Sequence, residues 1–336
     1  MAGSGLEYGL ILEADFRGWL TPAIRVHKRI PHPLKSDMKR VVLNCAAAML
    51  FIVACWALVP AQEIEEVVKV DVALVTVNVA VTDNKGRHIA ELRAQDFLVS
   101  DEGKAIRPEF FDTQGPTSII FVVDTSSSMS GAKWKALKDG MKKFLATARE
   151  DNDYTLITFN DKPRRIADSV NAQILWREFN SLKPTGDTAL YDGLLLGLSS
   201  LDRVRQRHKS LVLLSDGQDN SSFATLTHVN QELLVRSASI YSVGIVRRGF
   251  TSFMAEERRG QELLNELATA TGGLVFFPRS EEIRSVLVRI SEDLRNRYSL
   301  SYYPPDKTPG WRRIQVNLAQ HPTPLHLRYQ QRYLIK

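Results

Sequence analysis

Ser118-Ile119-Ile120-Phe121-Val122-Val123-Asp124-Thr125-Ser126-Ser127-Ser128 runs from an unbroken apolar stretch straight into a carboxylate and a set of hydroxyls. Six residues without a polar alternation fit a strand covered on both faces, the signature of a parallel sheet rather than of a half-exposed one. A second apolar stretch, Leu211 to Leu214, leads in the same way into Ser215-Asp216-Gly217, and between the two lies Thr185-Gly186-Asp187-Thr188-Ala189-Leu190. In an open α/β sheet the loops that leave the carboxyl ends of neighbouring strands meet at one crevice. Two carboxylates and three hydroxyls delivered to that crevice would make an all-oxygen pocket suited to a hard divalent cation. Asp124, Ser126 and Ser128 occupy alternate positions, so in an extended segment they point the same way and converge.

This pattern resembles the metal-ion-dependent adhesion site of von Willebrand factor type A domains, over about residues 117 to 295. By position the resemblance implies a metal site of Asp124, Ser126, Ser128, Thr188 and Asp216, with one Asp acting through water. It also implies an open coordination position that an Asp or Glu of a protein partner fills. Mg²⁺ is the expected ion, with Mn²⁺ and Ca²⁺ as alternatives, because Mg²⁺ accepts oxygen ligands and keeps waters that a carboxylate can displace. Asp187 stands where the family often has Gly, and it adds a carboxylate beside the site. The flanks resemble those of the secreted acidobacterial VWFA-related family, with a β-rich segment before the domain and a Tyr-rich tail after it.

Each piece has a plainer reading. Asp216-Gly217 makes an ordinary turn, and Ser130 ahead of Gly131-Ala132-Lys133-Trp134 reads as a helix N-cap. Their order and their places at strand ends favour the joint reading. A phosphatase resembling the haloacid dehalogenase group also sets an Asp after its first strand and an acidic Asp-Gly segment downstream, as in Ser215-Asp216-Gly217-Gln218-Asp219-Asn220. That chemistry needs a second carboxylate two residues after the first as general acid, and Ser126 stands there. A scaffold with a purely structural metal is the third reading. No Gly-x-Ser-x-Gly, Gly-x-x-x-x-Gly-Lys or His-Glu-x-x-His motif is present, and the seven His are scattered, so an enzyme is not expected.

With 336 residues and 44% hydrophobic content, the chain can bury one sizeable core and a small second unit. Its net charge of +6 is modest, and no aromatic interleaving marks a nucleic-acid surface. The basic stretch Arg203 to Lys209 reads as a solvated loop. Lys39-Arg40, the apolar run Val41 to Val59 and Val59-Pro60-Ala61 describe a signal peptide over residues 38–61, with residues 1–37 as an upstream extension before Met38. An uncleaved membrane anchor and a lipobox-like Ile52-Val53-Ala54-Cys55 are the alternatives, and all three imply export. Both cysteines, Cys45 and Cys55, lie in this leader, so the exported part would have neither disulfide nor thiolate.

Residues 62–116 alternate in the manner of strands, as in Val75-Thr76-Val77-Asn78-Val79-Ala80-Val81, with turns at Asp83-Asn84-Lys85-Gly86 and Asp101-Glu102-Gly103-Lys104. Residues 296–336 alternate again at Tyr298 to Tyr303, Trp311 to Leu318 and Leu325 to Tyr333, and the two flanks are expected to pair into one small β-sandwich. Between them, residues 117–295 alternate strands at Tyr154–Phe159, Ser239–Ile245 and Leu274–Phe277 with helices at Ala132–Arg149, Ile174–Leu182, Ala189–Val204, Leu226–Ser237, Glu262–Ala270 and Glu281–Asn296. The expected fold is α/β and doubly wound, a mostly parallel sheet with helices on both faces.

Overall fold

The run at 118–123 lies in strand β5 (Thr117–Asp124, strands and helices being numbered in chain order), and every residue of it is buried. Ile119, Phe121 and Val123 enter one apolar cluster while Ile120 and Val122 enter another, so the strand separates two cores. The computed structural model describes residues 74–113, 115–147, 149–236, 238–245, 254–319 and 324–335, and the leader and the start of the first flank lie outside them.

Around β5 the chain forms α1 (Ala132–Ala146), β6 (Asp153–Phe159), β7 (Pro163–Val170), α2 (Ala172–Ser181), α3 (Leu190–Ser200) and β8 (His208–Ser215). It continues through α4 (Leu226–Leu234), β9 (Ser239–Gly244), α5 (Met254–Ala270), β10 (Val275–Phe276) and α6 (Ile283–Arg295). The six-stranded sheet has the order β10-β9-β8-β5-β6-β7, parallel except for β7 at one edge. One face is covered by α1, α2 and α6 through Trp134, Leu137, Met141, Phe179, Leu287 and Ile290. The other is covered by α3, α4 and α5 through Leu190, Leu194, Val229, Leu264 and Leu267. The doubly wound α/β fold therefore stands.

Strands β1 (Val75–Thr82), β2 (Phe97–Asp101), β3 (Lys104–Ile106) and β4 (Phe110–Thr113) precede this sheet. Strands β11 (Arg297–Tyr302), β12 (Gly310–Leu318), β13 (His326–Arg328) and β14 (Arg332–Ile335) follow it. They make two four-stranded sheets, β13-β1-β11-β4 and β14-β12-β2-β3, each mixing strands from both ends. Val77, Val79, Tyr298 and Leu300 from the first share an apolar cluster with Phe97, Val99, Ile314 and Val316 from the second. Glu102 and Gly103 both take positive φ, 48° and 78°, the pattern of a type I′ hairpin turn between β2 and β3.

Several elements differ from the sequence expectation. The expected strand Leu325 to Tyr333 is two strands on different sheets, β13 beside β1 and β14 beside β12. Helix α3 stops at Ser200 because Leu201, Asp202 and Arg203 donate three residues back, to Leu198, Ser199 and Ser200, in tight turns rather than helical ones. Helix α5 begins at Met254, earlier than Glu262, since its charged first turns carry no apolar stripe and rest on the helix propensity of Ala, Glu and Arg. The edge strand β7 was not expected, and its opening Pro163 lacks a ladder donor, which only an edge or a strand start tolerates. Ser130 does not cap α1; Gly131 does, at φ 70° and without a side chain.

Candidate metal centre

Asp124, the last residue of β5, is fully buried, and its carboxylate is held on both oxygens. The Ser126 backbone N–H donates to Oδ1 at 2.8 Å and the Ser215 hydroxyl to Oδ2 at 2.9 Å. The Ser215 bond ties the end of β8 to the end of β5, and Ser215 in turn accepts from the Gly217 N–H at 3.0 Å. The alternation expected to aim the serines ends early. Ser126 is extended, at φ −69° and ψ 165°, but Ser127–Met129 winds into a 3₁₀ turn. The hydroxyls converge nonetheless: Ser126 Oγ lies 3.0 Å from Ser128 Oγ, and Ser128 Oγ donates to Asp216 Oδ2 at 2.8 Å.

Thr188 joins through its backbone. Its N–H donates to Asn220 Oδ1 at 2.8 Å, and its carbonyl accepts from the N–H groups of Asn220 and Ser221 at 3.0 and 3.2 Å. The loop that carries it is laced to the first loop, with Thr185 N–H donating to the Thr125 carbonyl at 2.7 Å and Ser127 N–H to the Gly186 carbonyl at 3.0 Å. Gly186 sits at φ 82°, and a Cβ there would lie 2.7 Å from the Asp161 carboxylate, so glycine is needed on both counts. Asp161 also accepts from the Asp187 N–H at 2.7 Å. Asp187 itself is exposed, on the outside of this loop.

Asp124, Ser126, Ser128 and Asp216 thus form one connected set of oxygens, with Thr188 buried on the adjoining loop. Sequence reasoning missed Ser215 and Asn220, which hold Asp124 and Thr188, and Lys133, whose Nζ is 3.8 Å from Asp216 Oδ2. Ser215 had a signal, a hydroxyl closing an otherwise apolar strand. Lys133 had none, because only the fold brings α1 to the end of β8.

Burial raises the Asp124 carboxyl from an ordinary 3.8 to about 6, the negative charge of Asp216 pushes the same way, and the bonds from Ser126 and Ser215 oppose both. Two neighbouring buried carboxylates with only neutral donors on Asp124 call for positive charge. The donor set contains oxygen alone, so it fits a hard divalent ion. Among the described residues no group of three or more His, Cys, Asp or Glu could hold a metal.

Residues 119–218 match the family description of the von Willebrand factor type A domain. This part of the chain is a type A domain. Inter-alpha-trypsin inhibitor heavy chain H3 of Bos taurus is 30% identical over 128 residues, which is 33% of this chain and 14% of that protein. The chain therefore spans about a seventh of the length of that relative. A von Willebrand factor type A structure from Catenulispora acidiphila superposes with a TM-score of 0.46 at 13% identity, covering 74% of each chain. Proximal thread matrix protein 1 from the mussel byssus, solved with a zinc-occupied MIDAS motif, gives 0.45 at 19% identity, covering 58% of this chain and 50% of that one. Among the described residues of the type A domain and its flanks, no helix is long and apolar enough to cross a membrane.

Proposed function

We propose that the type A domain binds a protein partner through a divalent cation held by Asp124, Ser126, Ser128, Thr188 and Asp216. The observation that carries this reading is the connected set of Asp124, Ser126, Ser128 and Asp216, in which the charge of the buried Asp124 lacks a fixed counter-charge on its own bonds. A bound Mg²⁺, Mn²⁺ or Ca²⁺ would supply a Lewis-acidic position for an Asp or Glu carboxylate of the partner. The protein's own part is to hold the oxygens, through Ser215 on Asp124 and Asn220 on Thr188, and to keep the loops in register. Ser126 in the place of a second carboxylate supports binding over phosphatase chemistry.

Thr188→Ala is expected to weaken Mg²⁺ binding by at least the 10–100-fold that lost outer-shell partners are worth, while the unfolding midpoint in EDTA stays at the wild-type value. Calorimetric titration and a thermal melt read the two quantities, and a large fall in the midpoint would make Thr188 a packing residue instead.

The wider reading is an exported module. The leader at 38–61 supports export, and N-terminal sequencing of the exported protein, expected to begin at Gln62, checks it. The shared cluster of the two outer sheets supports taking residues 62–116 and 296–336 as one β-sandwich beside a domain of residues 117–295.

A further inference from the structure

Lys133 is the second residue of α1, and only 11% of its side chain is exposed. Two physical effects oppose a cation in that place. The amino end of a helix already carries positive partial charge, so a positive side chain in the first turn is disfavoured. An ammonium taken out of water is unfavourable unless a carboxylate faces it. The first turn of α1 holds no acidic residue to offset this, and its cap, Gly131, contributes no side chain. An ion pair with Asp216, whose side chain is 9% exposed, offsets this, at 3.8 Å from Nζ to Oδ2.

That pairing has a consequence for the candidate metal centre. Asp216 Oδ2 is the oxygen to which Ser128 donates, so the Lys133 charge is aimed at the connected oxygen set itself. We propose that Lys133 is a tethered cation that competes with the divalent ion for Asp216 and thereby sets the metal affinity of the site. The inference rests on the metal reading under Proposed function. A divalent ion held by Asp216 would share that carboxylate with the Lys133 ammonium, in a setting too enclosed for salt to screen the repulsion well. Lys133 either remains and repels the ion or turns out along the groove that it lines with Ser128, Phe277, Pro278 and Arg279, giving up its carboxylate. Both routes weaken metal binding relative to a neutral side chain of the same length.

Calorimetric titration of the full chain with Mg²⁺ and with Mn²⁺ tests this on wild type, Lys133→Met, Lys133→Gln and Lys133→Arg. The two neutral variants keep the buried stem, so one serves if the other fails to fold. Met and Gln are expected to bind the ion on the order of tenfold more tightly than wild type, and Arg to stay near wild type, since its charge is retained. In EDTA the same two neutral variants are expected to melt below wild type, because the Asp216 charge then stands without its partner. Unchanged or weaker metal affinity in Met and Gln, beside measurable binding by wild type, overturns the inference and leaves Lys133 a structural counter-ion. Binding by none of the four proteins overturns the metal reading, and this inference with it. Binding by the neutral variants alone supports it in its strongest form.

Discussion

Asp293→Ala is expected to lower the unfolding free energy by about 3–5 kcal/mol, the loss typical when one partner of a buried ion pair is removed. Asp293 lies on α6, is 1% exposed, and accepts from the Tyr241 hydroxyl of β9 at 2.6 Å and from Arg297 of β11 at 3.3 Å. Its other oxygen accepts from Arg328 of β13 and lies 3.3 Å from His88 Nε2 in the loop after β1. Burial pushes the Asp293 carboxyl up, but the charges of Arg297 and Arg328 prevail and hold it below the ordinary value. The fully buried Arg297 guanidinium would be left facing Arg328 with no carboxylate between them. This one side chain joins α6 to β9, to strands β11 and β13 and to the loop after β1, so its loss acts on the central sheet and the outer strands together. Chemical denaturation of the wild type and the variant measures the difference; a change under 1 kcal/mol would mean that the cluster relaxes by taking in water.

Asp124→Asn is expected to act in the opposite direction when no cation can bind. Asp124 titrates at about 6 in the folded protein against an ordinary 3.8, so its folded-state pKa is raised. The neutral acid contributes its full stability below the unfolded value, and that stability is lost as pH rises through about 6. Asn has the same shape and no charge, so the variant escapes the loss. In EDTA at pH 7.5 it is expected to be more stable than wild type by roughly 3 kcal/mol, and the two should converge below pH 4. Urea midpoints across this range check it. A variant less stable than wild type at pH 7.5 would show that the bonds from Ser126 and Ser215 outweigh the burial of the charge and the repulsion from Asp216.

The centre of the fold was legible because its signals are local. Five apolar residues, Ile119 to Val123, leading into Asp124 specify a doubly covered strand, and the helical stripes of α1 and α6 specify which side each buries. Elements defined by their neighbours were not legible. Strand β7, Pro-Arg-Arg-Ile-Ala-Asp-Ser-Val, has no alternation to read and is a strand only because β6 offers an open edge. The split between β13 and β14 depends on which sheet each half meets, and no residue between them announces it. At the site, the spacing of Asp124, Ser126 and Ser128 and the place of Asp216 after an apolar strand were enough to name four of the connected oxygens. The same spacing gave the wrong backbone, since the 3₁₀ turn at Ser127–Met129 replaces the extended segment. Ser215, Asn220 and Lys133 act at long range, and their roles emerge only once the loops are laced together.

The most direct measurement is thermal unfolding of the full chain in EDTA and in rising Mg²⁺, Mn²⁺ or Ca²⁺, for wild type and Asp124→Ala together. A ligand that binds only the folded state raises its stability by RT ln(1 + [L]/Kd), about 2.7 kcal/mol at a hundredfold excess over Kd. A midpoint that climbs with cation concentration for wild type and stays fixed for Asp124→Ala is the predicted result. Equal climbs in both proteins, or no climb in either, would contradict a cation held by Asp124 and its neighbouring hydroxyls.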